Sequence, residues 1–395
     1  MEWSFVKLGD FCEIIAGQSP EGKYYNNIGD GLPFYQGKKE FGNRYIKDPL
    51  QWTTKVTKEA KSNDILMSVR APVGPINFAT QKVCIGRGLA AIRANEQLDN
   101  DFLFYYLLSK QDEIKGSEGA VFASINKSQI QELSFPYVNL PEQKRIVAIL
   151  DKAFADIDRA RAITEQNLKN ARELFDSYLQ QVFSQRGEGW NDERLESICT
   201  FSSGGTPSKK NSSYWSGNIP WVSGRDMKSA QLFDSLLHIS QSAINEASAR
   251  MAKAGTILVL VRGMGLAHGA QVAELMVPCA FNQDIKGIHP KPNIVSRYLA
   301  ITLRYHINIS ENIISSAAHG TLKINMDDLN NVIIPVPPTV QQKHLVDKFG
   351  VFIKEINYLE TVYLKKLDAL DELKKSILQK AFSGELTKDD KGAAA

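Results

Sequence analysis

The sequence has no long hydrophobic run, no leader-like N-terminus and few cysteines. No segment approaches the roughly 18 consecutive apolar residues that a membrane-spanning helix needs. The N-terminus, Met1-Glu2-Trp3-Ser4, has neither the basic nor the apolar region of a secretory signal. The four cysteines lie far apart without a CxxC pair, which is typical of reduced cysteines in a protein core. These absences predict a cytoplasmic protein that does not associate with a membrane.

The common signatures of enzymes are also missing. There is no Asn-Pro-Pro-aromatic tetrapeptide, no GxxxxGK[ST] phosphate loop, no HExxH, no GxSxG and no cysteine–histidine cluster with zinc spacing. The stretch 263–269 is glycine-rich, but alanine and histidine stand where a dinucleotide fingerprint needs its next glycine. All six histidines lie in the second half of the chain, which argues against two equivalent active sites. We therefore expect no catalytic residue, no metal and no cofactor.

A large excess of one charge is absent as well. The formal net charge is +3, and residues 1–141 contain sixteen basic and sixteen acidic side chains. Binding to a polyanion such as DNA therefore does not follow from overall charge. It would need local clusters of basic residues.

The sequence does contain a long helical pattern that occurs twice. The first begins at Glu142 and runs to about Ser184, and the second begins at Gln341 and runs to about Ser383, at a constant offset of 199 residues. In both, apolar residues recur at steps of three and four over about five heptads, as in a coiled coil. Neither run contains proline, so each predicts a continuous helix of roughly 60 Å. We expect the two apolar seams to pack on each other; two separate partner-binding helices are the alternative.

The regions before the two helical patterns are related to each other too. Spaced residues recur at an offset of 187, and the matching pairs are Trp3 and Trp190, Leu8 and Leu195, Cys12 and Cys199, Gly17 and Gly204, and Pro20 and Pro207. Short apolar runs at 65–69 and 257–261 predict buried strands, and 101–109 and 296–305 predict short amphipathic helices. Each half is therefore predicted to have an α+β fold.

This repeat divides the chain into five segments. Residues 1–140 and 187–338 are predicted to be two similar globular domains, 141–186 and 339–386 the helices that follow them, and 387–395 a disordered tail. The offset drifts within the globular regions but stays constant in the helices. Such a pattern fits two variable recognition domains on a fixed frame.

Polar side chains follow the turns and strands of both domains at matching places. Long amide and guanidinium side chains on loops suit hydrogen bonds to base edges, and lysines suit phosphates. The candidates for DNA binding are Lys23, Tyr25, Gln36, Lys38, Lys39 and Arg70 in the first half and Lys209, Lys210, Ser223, Arg225 and Arg262 in the second. Solvated turns without a ligand are the alternative. For Arg70 and Arg262, a structural role as a cap or a carboxylate partner is equally open.

Three motifs stand at the helix starts, the turns and the chain's last helix end: Leu-Pro-Glu-Gln-Lys-Arg-Ile-Val at 140–147, Gly-Gly-Thr-Pro at 204–207 and Ile-Leu-Gln-Lys-Ala-Phe-Ser-Gly-Glu-Leu at 377–386. These motifs resemble those of the specificity subunits of type I restriction-modification systems. The resemblance covers nearly the whole chain. One departure is the second helix start, which reads Gln-Gln-Lys-His where the first reads Glu-Gln-Lys-Arg. The resemblance therefore does not imply that the two helix starts make the same contacts with partner subunits.

The resemblance implies a non-catalytic subunit that reads double-stranded DNA. Each globular half would be a target-recognition domain for one half of an asymmetric, bipartite site. The helices would form an intramolecular antiparallel coiled coil, with a pseudo-twofold relating the two halves of the repeat. Two methyltransferase subunits and the restriction subunits, which act as translocase and endonuclease, would be partners, bound by outward-facing Lys144, Arg145 and Lys343. A coiled-coil scaffold that assembles partners without reading DNA is the competing hypothesis.

Overall fold

The computed structural model describes residues 3–111, 113–114, 124–316 and 320–386. The predicted tail at 387–395 lies outside these described residues. The chain divides into two compact units, of which the first comprises 1–166 and 363–395 and the second 167–362. Each unit combines one α+β domain with parts of both long helices.

Short strands and helices form the domain of the first unit. The strands are β1 (Ser4–Lys7), β2 (Cys12–Ala16), β3 (Tyr25–Asn26), β4 (Leu32–Tyr35), β5 (Trp52–Thr53), β6 (Glu59–Ala60), β7 (Ile65–Ser68), β8 (Ile76–Phe78), β9 (Val83–Ile85), β10 (Leu89–Ala94) and β11 (Ser134–Tyr137). The helices are α1 (Asn100–Ser109), α2 (Lys127–Gln131) and the start of the long helix α3 (Leu140–Ser184). Helix α1 begins where the Asp99 side chain accepts hydrogen bonds from the N–H groups of Asp101 and Phe102.

The strands of the first unit pair into two larger sheets and one small pair. One sheet is antiparallel with the order β2-β10-β7-β8, and the other has the order β3-β5-β4-β9-β6, in which β4 and β9 are parallel. Strand β7 is buried on both faces, because successive side chains of a strand point in opposite directions. Ile65 and Met67 pack in the core formed with α1, and Leu66 packs in the core that contains Ile85. Residues 65–68 of the apolar run at 65–69 therefore form a buried strand, as predicted.

The second unit contains a similar set of elements. Its strands are β12 (Asn191–Arg194), β13 (Cys199–Ser203), β14 (Ile219–Val222), β15 (Gln231–Leu232), β16 (Leu237–Ile239), β17 (Met251–Ala252), β18 (Ile257–Leu260), β19 (Val272–Leu275), β20 (Cys279–Phe281), β21 (Ile285–Pro290), β22 (Ile314–Ser316), β23 (Leu322–Ile324) and β24 (Ile333–Val336). Its helices are α4 (Leu195–Ile198), α5 (Gln241–Glu246), α6 (Ser296–Ile309), α7 (Met326–Asn330) and the start of the long helix α8 (Thr339–Phe382).

The strand order of the second unit repeats that of the first. The antiparallel series β13-β21-β18-β19 corresponds to β2-β10-β7-β8, and β14 and β20 form a parallel pair like β4 and β9. Strand β15 extends the first of these sheets beside β19. The chain is therefore α+β and internally repeated, which confirms the predicted fold class.

The long helices pair in antiparallel direction within each unit. Contacting pairs, with the α3 residue first, are Asp158–Lys374 and Arg161–Asp371 in the first unit and Arg172–Glu360 and Tyr178–Phe352 in the second. Residue numbers rise along α3 while those of the partners fall along α8. The predicted packing of the two apolar seams is thus confirmed inside each unit. No helix of the described ranges is long and apolar enough to cross a membrane.

A buried glutamine fixes the start of each long helix to its domain. Gln143 in α3 and Gln342 in α8 are both fully enclosed. The side-chain oxygen of Gln342 accepts a hydrogen bond from the N–H of Val295 at 2.8 Å, and its amide nitrogen donates to the carbonyl of Asn293 at 3.1 Å. Gln143 bonds to the loop before α1 in the same way. Each long helix is therefore tied to the loop that leads into α1 or α6.

The four cysteines are small core residues. Cys12, Cys84, Cys199 and Cys279 are all buried and unpaired. Burial raises the pKa of Cys12 and of Cys199 to about 12, and burial together with nearby carboxylates raises the pKa of Cys279 to about 11. These three thiols are therefore protonated at neutral pH. In the part of the chain that the structure describes, no cluster of three or more His, Cys, Asp or Glu side chains is placed to hold a metal ion.

Candidate nucleic-acid interface

Four loops meet at one edge of the first domain. They are the turn 17–20 after β2, the segment 36–39 after β4, the end of β7 at 69–70 and the loop 86–88 between β9 and β10. The N–H of Val69 donates to the carbonyl of Gly88 at 3.0 Å, and the N–H of Gly88 donates to the carbonyl of Gln36 at 3.2 Å. The loop 86–88 thus holds the segment after β4 next to the end of β7, although the two are distant in sequence.

The turn after β2 requires glycine because it approaches a neighbouring loop very closely. A Cβ atom on Gly17 would lie 2.2 Å from the carbonyl oxygen of Gly86. In the matching turn of the second domain, a Cβ on Gly204 would lie 2.2 Å from the carbonyl oxygen of Phe281. Only a residue without a Cβ fits either position. The recurrence of glycine in these turns therefore has a structural cause that is independent of any ligand.

Most of the predicted residues on this edge of the first domain are open to a ligand. Gln36, Lys38, Lys39 and Arg70 are exposed. The side chains of Lys38, Lys39 and Arg70 form no hydrogen bond or ion pair with the described residues. The Gln36 side-chain oxygen accepts a hydrogen bond from the Ser19 hydroxyl at 2.9 Å, which leaves its NH₂ group available as a donor. The edge therefore presents several cations and an oriented amide.

Lys23 and Tyr25 lie beside this edge and have partners within the protein. Lys23 forms an ion pair with Glu21 at 2.7 Å, and both side chains are exposed. The hydroxyl of Tyr25 donates to the carbonyl of Pro20 at 2.8 Å, and the ring is half-buried. Tyr25 thus fixes the turn after β2. The ion pair of Lys23 is a weak surface contact, which leaves this lysine able to turn to a phosphate.

The second domain builds the same edge from the equivalent loops. They are the turn 204–207 after β13, the segment 223–226 after β14, the end of β18 at 261–262 and the loop 282–284 between β20 and β21. The N–H of Val261 donates to the carbonyl of Asp284 at 2.8 Å, and the N–H of Asn282 donates to the carbonyl of Val222 at 3.0 Å. The same set of loops is therefore joined by main-chain hydrogen bonds in both domains.

Two predicted arginines are open at the second edge, whereas the predicted serine is engaged. Arg225 and Arg262 are exposed, and their side chains have no hydrogen-bond or ion-pair partner among the described residues. Ser223 directs both its N–H and its hydroxyl to the carboxylate of Asp226, at 2.8 and 2.9 Å. Ser223 therefore shapes the loop that presents Arg225.

Lys209 and Lys210 extend from a fixed stretch after the turn of the second domain. Both side chains are exposed. The indole N–H of Trp215 donates to the carbonyl of Ser208 at 3.2 Å, and its ring packs edge-on against the buried Trp221, with centroids 5.0 Å apart. The main chain next to the two lysines is therefore held in place while their ammonium groups reach solvent.

The edges contain two further polar residues that sequence reasoning missed. Arg87, in the loop between β9 and β10, is exposed, and its main-chain N–H donates to the hydroxyl of Ser19 at 3.3 Å. Gln283 takes the matching place between β20 and β21 and accepts a hydrogen bond from the hydroxyl of Thr206. A signal was present in the sequence. Gly-Arg-Gly and Asn-Gln-Asp each place one long polar side chain between turn-forming residues after a short apolar run.

The two edges share a frame and differ in the side chains that they present. Exposed guanidinium and amide groups on fixed loops suit base edges, and the flanking lysines suit phosphates. Arg70 and Arg262 match each other, but Arg87 of the first edge corresponds to Gln283 of the second. Two such edges can bind the same kind of polymer and discriminate different sequences in it.

The residues predicted to bind partners lie near the starts of the long helices. Lys144 in α3 and Lys343 in α8 are exposed at equivalent places. Arg145 is half-buried, with a guanidinium nitrogen 3.4 Å from the carboxylate of Glu142. It also lines a shallow groove of about 590 Å³ along α3, together with apolar residues such as Ile149. The first helix start thus has a concave surface in which basic and apolar side chains are mixed.

Known proteins resemble this chain in sequence over most of its length. A family model described as the type I restriction modification DNA specificity domain matches residues 1–168 and 187–379. A putative type I restriction enzyme MjaX specificity subunit from Methanocaldococcus jannaschii is 44% identical over 176 residues, which are 43% of this chain and 41% of that protein. The type I restriction enzyme EcoR124I/EcoR124II specificity subunit from Escherichia coli is 29% identical over 269 residues, 65% of this chain and 64% of that protein. The chain thus spans less than two thirds of the length of either relative.

Solved structures resemble this chain in fold. One chain, from a study described as the structural basis underlying complex assembly and conformational transition of the type I R-M system, matches with a TM-score of 0.77 and 21% identity. The match covers 97% of this chain and 98% of that chain. The HsdS subunit from Thermoanaerobacter tengcongensis matches with a TM-score of 0.55 and 20% identity, over 97% of both chains.

Proposed function

This chain belongs to the family of type I restriction-modification DNA specificity domains, and we propose that it selects the DNA target of a type I restriction-modification complex without being catalytic itself. Each domain binds one half of an asymmetric, bipartite site in double-stranded DNA, in the cytoplasm. We assign residues 1–140 and 187–338 to the two recognition domains. The helical segments 141–186 and 339–386 are the spacers between them.

The observation that carries this proposal is the pair of equivalent edges. In each domain, the same four loops are joined by main-chain hydrogen bonds, so that the backbone is fixed before any ligand arrives. The exposed side chains on these loops are cations and amides, which match phosphates and base edges. Because the side chains differ between the edges, the two half-sites differ in sequence.

The geometry supports a division of roles within each edge. Arg70, Arg87, Arg225 and Arg262 are exposed guanidinium groups on fixed loops, and we assign base-edge contacts to them, with Gln36 and Gln283 as amide readers beside them. The lysines Lys23, Lys38, Lys39, Lys209 and Lys210 contact phosphates and thereby position the domains. Tyr25 and Ser223 act on the loops, since their hydroxyl groups are bound to Pro20 and Asp226.

We further propose that the outward faces of the long helices bind the subunits that carry out the chemistry. These partners are two methyltransferase subunits and the restriction subunits that act as translocase and endonuclease. The similarity in fold to a chain from a study of type I R-M complex assembly supports such partners. Lys144, Arg145 and Lys343 are the residues that we assign to these contacts, and the groove at Arg145 gives the first helix start the more specific surface.

A methylation assay separates DNA reading from scaffolding alone. The chain is combined with its cognate methyltransferase subunits, a random DNA library is treated with the complex, and the modified bases are sequenced. We expect methylation within one bipartite sequence whose two halves are unlike. Methylation of the same sequences by the methyltransferase subunits in the absence of this chain would contradict the proposal and favour a scaffold that does not read DNA.

A further inference from the structure

The second unit contains a cavity of about 730 Å³ that the proposed function does not use. Helix α6, the second part of α3 and the first part of α8 form its walls, and the stretch 228–230 borders it. Its charged lining residues are basic Arg172, Lys228, Arg297 and Arg304 and acidic Asp176 and Glu360. Glu360 pairs with Arg172 at 2.9 Å. Three basic side chains therefore share the cavity with one remaining carboxylate.

Two arginines of α6 are among these three basic side chains. Arg297 and Arg304 are seven residues apart, so they lie on one face of the helix about two turns from each other. A guanidinium nitrogen of Arg297 donates to the carbonyl of Ala230 at 3.1 Å. Burial lowers the pKa of Arg297, Glu274 raises it and Arg304 lowers it, so the two arginines are close enough to repel each other. Arg304 has no hydrogen bond or ion pair with any residue that the structure describes.

The equivalent place in the first unit is filled by the protein itself. Asp101 corresponds to Arg297, since each is the second residue of its helix, α1 or α6. Arg44 binds Asp101 at 2.6 Å, contacts Asp151 at 3.2 Å and donates to the hydroxyl of Tyr105 at 2.9 Å. In the second unit the sign of the helix residue is reversed, and the carboxylate of Glu274 lies close enough to Arg297 to raise its pKa. Burial raises the pKa of Asp176 and the nearby Arg304 lowers it, but Arg304 forms no ion pair with a described residue, so its guanidinium donors stay open to an anion from outside.

We propose that this cavity binds a phosphate-bearing organic molecule of mononucleotide size. The volume lies within the roughly 300–1,000 Å³ that is typical of small-molecule sites. Arg297 and Arg304 hold the phosphate groups, because guanidinium groups bind phosphate oxygens with two parallel hydrogen bonds. Phe175 and Tyr305 line the same cavity and give the organic part an aromatic wall. None of these four residues belongs to the loops of the DNA-binding edge, so the site is separate from it.

Calorimetric titration of the full chain tests this site. The probes are ADP and inorganic pyrophosphate, with adenosine as the uncharged control, in a metal-free buffer of constant ionic strength. We expect saturable binding of ADP and of pyrophosphate and none of adenosine alone. Arg304→Ala should weaken ADP binding at least about tenfold, since charge-assisted hydrogen bonds are lost. The matched control is Arg250→Ala, which removes an exposed arginine of the same unit outside the cavity and should leave the affinity unchanged.

Two results would overturn the proposal. One is the absence of saturable ADP binding to the wild-type chain, and the other is an equal ADP affinity for wild-type protein and Arg304→Ala. Arg304→Lys keeps the charge but loses the paired donors, so its affinity for ADP should lie between that of the wild type and that of Arg304→Ala. Because Arg304 is exposed, both variants should fold, which their thermal unfolding curves check.

Discussion

The side-chain oxygen of Gln143 accepts a hydrogen bond from the main-chain N–H of Asp99 at 2.7 Å. The amide nitrogen of the same side chain donates to the carbonyls of Gln97 at 3.1 Å and Val138 at 2.8 Å. Gln143 is fully buried, so it satisfies three main-chain groups that water does not reach. Gln342 repeats the arrangement at the start of α8. The glutamine shared by the two helix starts therefore has a structural role.

Replacing Gln143 by methionine should strongly destabilise the first unit. Methionine has a similar shape and favours helices, but it leaves one N–H and two carbonyl groups without partners. Each such group costs roughly 1–3 kcal/mol, so we expect a loss of about 3 kcal/mol or more in the free energy of unfolding. The measurement is urea unfolding followed by circular dichroism. Lys144→Met, at the next and exposed position, is the control and should stay within about 0.5 kcal/mol of wild type; equal midpoints for both variants would disprove the anchoring role.

His306 should make the second unit less stable as the pH falls below neutrality. Burial lowers the pKa of His306 from its ordinary value of 6.5 to about 4. Its ring packs on Phe183, with centroids 5.3 Å apart. Because the pKa in the folded state lies below that in the unfolded state, the unfolded chain binds the proton first. The stabilisation is therefore complete above about pH 6.5 and is lost progressively as the pH falls to about 4, by about 3 kcal/mol in total.

Variants of two histidines test this pH dependence. His306→Leu should flatten the fall in unfolding free energy between about pH 6.5 and about pH 4, because it removes the group that takes up the proton. His344→Gln changes an exposed histidine of α8 and should show the same decrease in unfolding free energy with pH as the wild type. Urea unfolding at several pH values gives the comparison. An unchanged slope in His306→Leu would assign the pH dependence to other groups.

Arg87→Ala and Arg225→Ala should each relax the recognition of one half-site, and not the same one. A paired arginine contact to a guanine is worth about 1–3 kcal/mol at one base pair. Methylome sequencing should therefore show one position of one half-site become degenerate. Lys39→Ala is the contrasting variant. It should weaken binding to all DNA and reduce the salt dependence of the binding constant by the contribution of about one phosphate contact. If Arg225→Ala lost specific and non-specific binding equally, Arg225 would be a phosphate contact or a structural residue.

The length of the two helices should set the spacing between the half-sites. Seven residues inserted after Gln166 in α3 and seven inserted after Val362 in α8 leave the helix pairs within each unit unchanged. A heptad adds roughly 10 Å of helix, which corresponds to about three base pairs. We expect methylome sequencing to report a longer spacer between unchanged half-sites. The insertion in α3 alone should destabilise the protein. An unaltered spacer after both insertions would contradict the hypothesis that helix length sets the spacing between the half-sites.

The sequence reveals the long helices because their repeat has a constant offset. Helices α3 (Leu140–Ser184) and α8 (Thr339–Phe382) begin within two residues of the predicted positions, and Pro141 is tolerated in the first turn of α3. The two-residue strands β5 and β6 do not follow from the sequence in the same way. They are too short to show a period, and they exist because β4 and β9 offer them main-chain partners.

The two loop edges are harder to derive from sequence because tertiary hydrogen bonds assemble them. The loop 86–88 brings Arg70 close to Gln36, and no local sequence pattern predicts this proximity. Tyr25 and Ser223 have the residue types of ligand contacts, but each uses its hydroxyl group inside the protein. Residue type therefore predicts which loops are candidates in both domains, while the direction of each side chain depends on its neighbours.

Two of the ion pairs between the long helices place an arginine on α3 and a carboxylate on α8, whereas the Asp158–Lys374 pair has the opposite polarity. Arg161 pairs with Asp371 and Arg172 with Glu360. At the offset of 199, Arg172 corresponds to Asp371 and Arg161 to Glu360. Two copies of α3 in the same antiparallel register would therefore set Arg161 against Arg172, and two copies of α8 would set Glu360 against Asp371. Each exposed pair contributes only about 0.2–1 kcal/mol, yet both oppose the exchange of helices between molecules, a risk that an internal repeat of such similar helices creates.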